Sequence, residues 1–351
     1  MNIFLTGATG FVGKKLTESL LEQGHVVYAL IRNSKKAEAL SSSIPTDLQK
    51  NLVMVEGDVS RRKAGLSVEV VNLLNGVIDS VYHAAAFLSF DENVKDQTFA
   101  INFEGTRNIL ELSKEIKAKD FFHVSTAYTL GQQLFGTETL HPVDNQFINP
   151  YEESKCHAEH LVFEYRNDFN ISIFRPSIII GDSKTGEAET TFALYGVIRS
   201  LELLKKRLDR KKELQNQTFK FLCNQDTAQN LVPVDYVVDV LTAALAYSKS
   251  NTIYHITNSN PPTNKVIFEL LQEHFNLPNI DMIPMDYTGD LSPEEQAFNK
   301  PMSVFYDYWG KNLRFKDSNT RELLAEAGIK ELIMDREMLI RIIGRKKTHL
   351  T

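Results

Sequence analysis

The chain opens with a short apolar run over 2–6, long enough for one buried strand. Glycines break it, and then Val12, Leu16, Leu20 and Leu21 recur at helical spacing until Gly24 stops the pattern. The same alternation repeats downstream. Apolar runs at 25–31, 52–55, 80–83, 120–126 and 171–181 predict five further strands. A helix is expected over 99–110. Another is expected from Pro150, with Asn149 as N-cap and Glu152 and Glu153 in its first turn. Such alternation predicts an α/β fold, a doubly wound parallel sheet of the Rossmann kind.

Beyond Gly181 the alternation stops, and a smaller C-terminal α/β substrate-binding part is expected to begin. The expected division puts 1–181, joined by 223–258, in the nucleotide-binding domain, and 182–222 and 259–351 in the substrate part. Within these, 237–246 reads as a helix and 253–257 as a strand. Helices are expected from Pro261 through Phe275 and from Lys316, with an irregular stretch over 276–315.

Chemistry enters at the first strand–helix junction. Gly7, Gly10 and Gly13 lie between strand and helix, the context a dinucleotide site requires. Gly7 can take a tight turn, Gly10 has no side chain to hold a pyrophosphate away, and Gly13 lets helix and sheet pack closely. The helix N-terminus offers open N–H groups to phosphate. At the end of the second strand stand Arg32, Lys35 and Lys36, with no acidic residue to accept from a ribose 2′-hydroxyl. This favours NADPH over NADH, the alternative being a solvated charge cluster. Asp58 suits either the adenine amino group or a local cap. Ala84, Ala85 and Ala86 close the fourth strand with small residues against which a cofactor can lie.

Ser125 and Thr126 end the fifth strand, at the sheet edge where such folds bind ligands. Tyr151 and Lys155, at i and i+4, share one helix face. A free phenol titrates near ~10, and a neighbouring ammonium is expected to bring Tyr151 toward working range. Thr126 or Ser125 would then hold a substrate oxygen while Tyr151 supplies a proton. Asn102, unusual in a helix interior, is expected to order a water behind Lys155. Pro176 and Ser177 are expected near the nicotinamide.

Composition narrows the setting. The net charge of −6 argues against nucleic acid as the main partner. No stretch approaches eighteen uncharged apolar residues, so no membrane span is expected. The N-terminus leads straight into a strand with no signal-peptide core, and Cys156 and Cys223 are too far apart to suggest a disulfide framework or a metal site. The nine histidines contain no H-x-x-x-H pair, so no metal is expected, and a cytoplasmic setting fits.

Assembled, these motifs resemble the extended short-chain dehydrogenase/reductases over most of the chain. The residues that carry the resemblance are TGATGFVG at 6–13, Asp58-Val59, HAAA at 83–86, Asn102, Ser125-Thr126, YEESK at 151–155 and FRPS at 174–177. It implies a triad of Thr126, Tyr151 and Lys155, with Asn102 as fourth member. It also implies cofactor contacts from Thr9, Phe11, Val12 and Val59. LIR at 30–32, HVSTAY at 123–128, YEESKCHAEHLV at 151–162 and RPSIIIGDSKTGE at 175–187 resemble the thioester reductase and fatty acyl-CoA reductase branch. That branch implies reduction of an acyl thioester, on coenzyme A or an acyl or peptidyl carrier protein, to an aldehyde or on to an alcohol. Ketone reductases and sugar-nucleotide epimerases use the same triad, and a nucleotide-sensing regulator would bind cofactor without chemistry. A homodimer is compatible by fold analogy. The basic run Lys205, Lys206, Arg207, Arg210, Lys211 and Lys212 is either a solvated helix face or a docking patch for phosphates or an acidic carrier.

Overall fold

Seven of the apolar runs assemble, in a computed structural model of the chain, into one parallel sheet. The structure describes residues 1–190, 194–211, 217–277 and 279–344. The chain begins β1 (Asn2–Thr6), α1 (Phe11–Glu22), β2 (Val26–Ile31), α2 (Ser34–Ser43), β3 (Leu52–Glu56), α3 (Val68–Leu74) and β4 (Ser80–His83). It continues through α4 (Lys95–Phe99), α5 (Gly105–Glu115), β5 (Asp120–Val124), β6 (Phe135–Gly136), α6 (Pro150–Glu164), β7 (Asn170–Pro176) and β8 (Ile178–Ile180). Then come α7 (Leu194–Arg210), β9 (Phe219–Leu222), β10 (Leu231–Pro233), α8 (Val234–Tyr247), β11 (Thr252–Ile256) and α9 (Asn264–Phe275). The last are β12 (Ile280–Ile283), α10 (Pro293–Asn299), α11 (Tyr306–Trp309), β13 (Arg314–Phe315), α12 (Ser318–Ala327) and α13 (Arg336–Ile343).

The main sheet has the order β11-β7-β5-β4-β1-β2-β3, all pairs parallel. The order of strands reverses between β1 and β4, the switch point at which doubly wound sheets take ligands. Alternate residues feed two apolar layers. Val81, Phe121, Ile171 and Ile173 pack with Ile109, Leu112, Leu161 and Val162 of α5 and α6. On neighbouring positions Tyr82 stacks on Phe122 and Phe174 on Tyr254, with ring centroids 4.6 and 5.2 Å apart. The Tyr82 hydroxyl donates to the Leu241 carbonyl at 2.7 Å, anchoring α8.

Two compact units form. The first comprises residues 1–177, 234–257 and 315–331, the second 178–233, 258–314 and 332–351. This differs from the expected division chiefly in three places: the first segment ends at 177 rather than 181, the returning segment begins at 234 rather than 223, and 315–331 joins the first unit. The expected single strand over 171–181 divides at Ser177. Its N–H still reaches the Ile256 carbonyl, but the next, of Ile178, donates to Asn230, and β8 pairs with β10 in the second unit. Residues 315–331 join the first unit because Asn319 donates to the Ile253 carbonyl and Glu138 accepts from the N–H groups of Asn319 and Thr320. The stretch expected to be irregular, 276–315, contains β12, α10 and α11. The helix expected from Pro261 starts at Asn264, because Thr263 supplies the capping hydroxyl. The helix expected over 99–110 is broken by a single π turn at Ala100–Glu104.

Candidate active site

The carboxyl edge of the main sheet gathers most of the expected residues. At its centre β1 ends in Thr6 and the chain turns through Gly7 at φ +77°, where a side chain is strained. A Cβ on Gly7 would lie 2.6 Å from the Ala85 nitrogen, so the turn rests on the backbone of Ala84 and Ala85. A Cβ on Gly13 would lie 2.0 Å from the Gly7 carbonyl oxygen. Gly10, by contrast, has only the Gly7 oxygen at 3.3 Å. It caps α1 without a side-chain bond, leaving the first turn to offer its N–H groups outward. Thr9, Phe11 and Val12 border this turn, all half-buried. A pyrophosphate fits the loop: the two glycines that a side chain would displace are the structural ones, and the third is open.

Arg32 is exposed at the end of β2. Asn33 caps α2 by accepting from the Lys36 N–H at 3.0 Å. The Asp58 Oδ1 accepts from the N–H and hydroxyl of Ser60, at 2.9 and 2.8 Å, so it serves as a cap. Partial burial opposes its charge, but those bonds and the Arg32 and Arg61 charges hold its carboxyl below the usual range. Val59 is buried, its carbonyl accepting from Asn108 at 2.9 Å. Ala86 is exposed beyond Ala84 and Ala85.

At β5 the hydroxyls of Ser125 and Thr126 are buried. Thr126 Oγ1 accepts from the Tyr128 N–H at 3.3 Å. Ser125 Oγ and, beyond β7, Ser177 Oγ are buried with no hydrogen-bond partner among the described residues. Buried hydroxyls are ordinarily satisfied, so two unpartnered ones at a sheet's ligand edge fit a polar ligand group there. Pro176 is buried beside Ser177.

Helix α6 begins as expected: the Asn149 side chain accepts from the Glu152 N–H at 3.0 Å. This sets Tyr151 one turn before Lys155. The Lys155 ammonium donates to the Val124 carbonyl at 2.7 Å, and its Nζ lies 3.5 Å from His123 Nε2. Burial lowers Lys155 to about 8, with Glu159 working the other way. Tyr151 departs from expectation. Burial first, and the Glu152 charge second, push its phenol above the ordinary range, so Lys155 does not bring it down. A phenolate in a desolvated place costs more than the neighbouring ammonium returns.

Asn102 also departs from expectation. Its side-chain oxygen accepts from the Phe87 N–H at 2.7 Å, and its Nδ2 donates to the Phe87 carbonyl and Ser154 Oγ, each at 3.0 Å. The amide is spent clamping 87 to α6 at Ser154, the residue before Lys155. The Asn102 carbonyl accepts from Thr106 Oγ1 at 2.6 Å inside the π turn.

Sequence reasoning missed the buried charge pair that underlies this edge. Arg175 and Glu159, both 0% exposed, form a two-pronged pair at 2.8 and 2.5 Å. Arg175 also donates to the carbonyls of Thr137 and Thr139. Glu159 lies one turn beyond Lys155, so the pair fixes the register of α6 against β7. The signal was present, since Arg175 interrupts an otherwise apolar strand and an unpaired buried charge is untenable.

Fold and edge together define a doubly wound, nicotinamide-dinucleotide-binding chain of the extended short-chain dehydrogenase/reductase type. Within that class the chain belongs to the NAD-binding family described as "Male sterility protein", whose model matches residues 5–241. It is 26% identical over 374 residues to fatty acyl-CoA reductase 1 of Xenopus laevis, an alignment covering 88% of this chain and 66% of that protein. The chain thus spans just under two thirds of that relative's length. Among solved structures it is similar to the terminal R domain of the myxalamid PKS-NRPS pathway. The TM-score there is 0.80 at 21% identity, covering 97% of this chain and 89% of the other. A thiolation-reductase di-domain from an archaeal non-ribosomal peptide synthetase matches with a TM-score of 0.75 at 20% identity, covering 97% and 74%.

Proposed function

We propose that the chain reduces an acyl thioester, carried on coenzyme A or on an acyl or peptidyl carrier protein, to an aldehyde, with NADPH as the preferred cofactor. The observation that carries this is Tyr151, its phenol held protonated by burial, one turn from the buried Lys155 ammonium at the sheet edge that also carries the glycine turn. The relatives named fatty acyl-CoA reductase and thiolation-reductase support thioesters over ketones or sugar nucleotides.

When bound, the cofactor supplies the hydride. Gly7, Gly10 and Gly13 would receive its pyrophosphate, Arg32 and Lys36 its 2′-phosphate, and Pro176 and Ser177 its nicotinamide end. The chain's own residues do the rest. Thr126 and Tyr151 hold the carbonyl oxygen, and Tyr151 passes its proton there as the carbonyl carbon gains hydride. The resulting hemithioacetal returns its hydroxyl proton to Tyr151 as the C–S bonding pair leaves with sulfur, and the thiolate takes a proton from solvent, giving aldehyde and thiol. Lys155 offsets the charge left on Tyr151 and holds ribose hydroxyls. Asn102, through Phe87 and Ser154, keeps α6 in register with the edge.

In the basic run, Lys205 pairs with Asp209 at 3.2 Å and Lys211 with Glu294 at 3.3 Å, while Lys212 lies outside the described residues. Exposed pairs of this kind are worth little and leave the run able to meet an acidic carrier.

The test is NADPH oxidation with acyl-CoA and carrier-bound thioesters, assaying thiol and aldehyde together, with NADH in parallel. Thiol release matched to NADPH loss is expected, and charge reversal at Lys205 and Arg207 should raise KM for the carried thioester only. Bound NADPH with no thioester turnover, but turnover of ketones, would overturn the proposal.

A further inference from the structure

Two of the nine histidines lie side by side in the sheet. His83 of β4 and His123 of β5 are register partners, fully buried, with ring centroids 5.5 Å apart. Burial holds both neutral, and the Lys155 charge adds to this. Their hydrogen bonding differs. Thr106 gives its hydroxyl proton to the Asn102 carbonyl, so it accepts from His83 Nε2–H at 3.0 Å. His83 Nδ1 is therefore bare and accepts from Thr6 Oγ1 at 2.8 Å, while Thr6 accepts from the Ala85 N–H at 3.2 Å. Every polar atom of His83 is satisfied within the core.

His123 is not. Its Nδ1 has no hydrogen-bond partner among the described residues, and its Nε2 faces only Lys155 Nζ at 3.5 Å. An N–H pointed at an ammonium is repulsive, so Nε2 must present its lone pair and the proton sits on Nδ1. A ring kept only to fill space would do better as phenylalanine, which buries no unpartnered N–H. Resting on the thioester-reductase reading above, we propose that His123 is a positioning residue: its Nε2 lone pair and the Val124 carbonyl together take two N–H groups of Lys155, keep the ammonium charged, and direct the third toward Tyr151 and the ligand. The other groups facing Lys155 do not replace it. Glu159, one turn along α6, is committed to Arg175, and Tyr151 and Glu152 share the α6 face and its first turn. His83 contributes no bond to Lys155.

The test compares wild type with His123→Phe, which keeps a ring against His83 but no acceptor, and His123→Gln, which restores one. NADPH affinity and thioester kcat are followed from pH 6 to 9.5. Losing an acceptor for a charged donor should lower the alkaline limb of both by about one pH unit, a roughly tenfold loss at pH 9 with near wild-type values at pH 6. His123→Gln should return the limb. A His123→Phe limb that coincides with wild type would overturn the inference. Wild type that binds NADPH but turns over no thioester would instead overturn the reaction assigned above, and the binding limb would still decide His123. Should His123→Phe fail to fold, ¹⁵N-histidine NMR of wild type decides: the inference requires protonated Nδ1 and bare Nε2, and the opposite tautomer ends it.

Discussion

Tyr151 and Lys155 are one helical turn apart, and burial moves them in opposite senses. Desolvation disfavours whichever form is charged, so the phenol rises and the ammonium falls, to about 8. At neutral pH the pair therefore holds a proton on each, the state a reduction needs from its acid. Replacing Tyr151 by Phe removes the proton source but little of the surface. A loss in kcat of about 10²-fold or more is expected, with NADPH affinity, read by fluorescence titration, nearly unchanged. Turnover retained within a few-fold would place the proton elsewhere. The motif spacing of Tyr151, Lys155 and Thr126 was legible in the sequence. The direction of the Tyr151 shift was not, because it depends first on how deeply the start of α6 is buried.

The glycine turn shows how one element divides its labour. Gly7 combines a positive φ with a backbone at 2.6 Å from where its Cβ would stand, whereas Gly10 meets only one carbonyl oxygen at 3.3 Å. Gly7→Ala should thus unseat β1 from Ala84 and Ala85, costing about 1–3 kcal/mol from the strained conformation alone and more from the clash. Gly10→Ala should melt close to wild type yet bind NADPH at least tenfold more weakly, because its methyl group projects where a pyrophosphate would approach. Thermal melts and NADPH titrations of the two variants check this, and equal melting temperatures would refute it. The three glycines could be picked out by spacing, but the constraint on Gly7 comes from the Ala84–Ala85 backbone, 77 residues along the chain, while that on Gly13 comes from the Gly7 carbonyl within the turn.

Across the molecule, the acid sensitivity follows from buried imidazoles. Burial lowers His83 and His255 to about 3 and His141 to about 4. Unfolded, each would titrate near ~6.5, so the unfolded chain binds protons that the folded chain refuses. Their stability is therefore complete above about 6.5 and is lost progressively as pH falls to about 3. The urea midpoint should already drop between pH 7 and 5, before most carboxylates titrate; a flat midpoint over that window would show that these rings protonate in place.

Local pattern determined much of this protein by itself. Apolar runs, helical periods, Asn149 and Pro150 at a helix start, and glycines after the first strand are short-range features, governed by backbone sterics and capping within a few residues. They gave the strand–helix order and the residues of the candidate edge. Tertiary structure alone decided the rest. It divided one apolar run at Ser177 between two sheets, because Ile178 finds its acceptor on Asn230. It drew 315–331 to the first unit through Glu138 and Ile253. It turned Asn102 to Phe87, buried Arg175 against Glu159, and set His123 beneath Lys155. Each of these rests on where a polar group finds its partner once water is excluded, and that partner lies well beyond the reach of a helical turn or a cap.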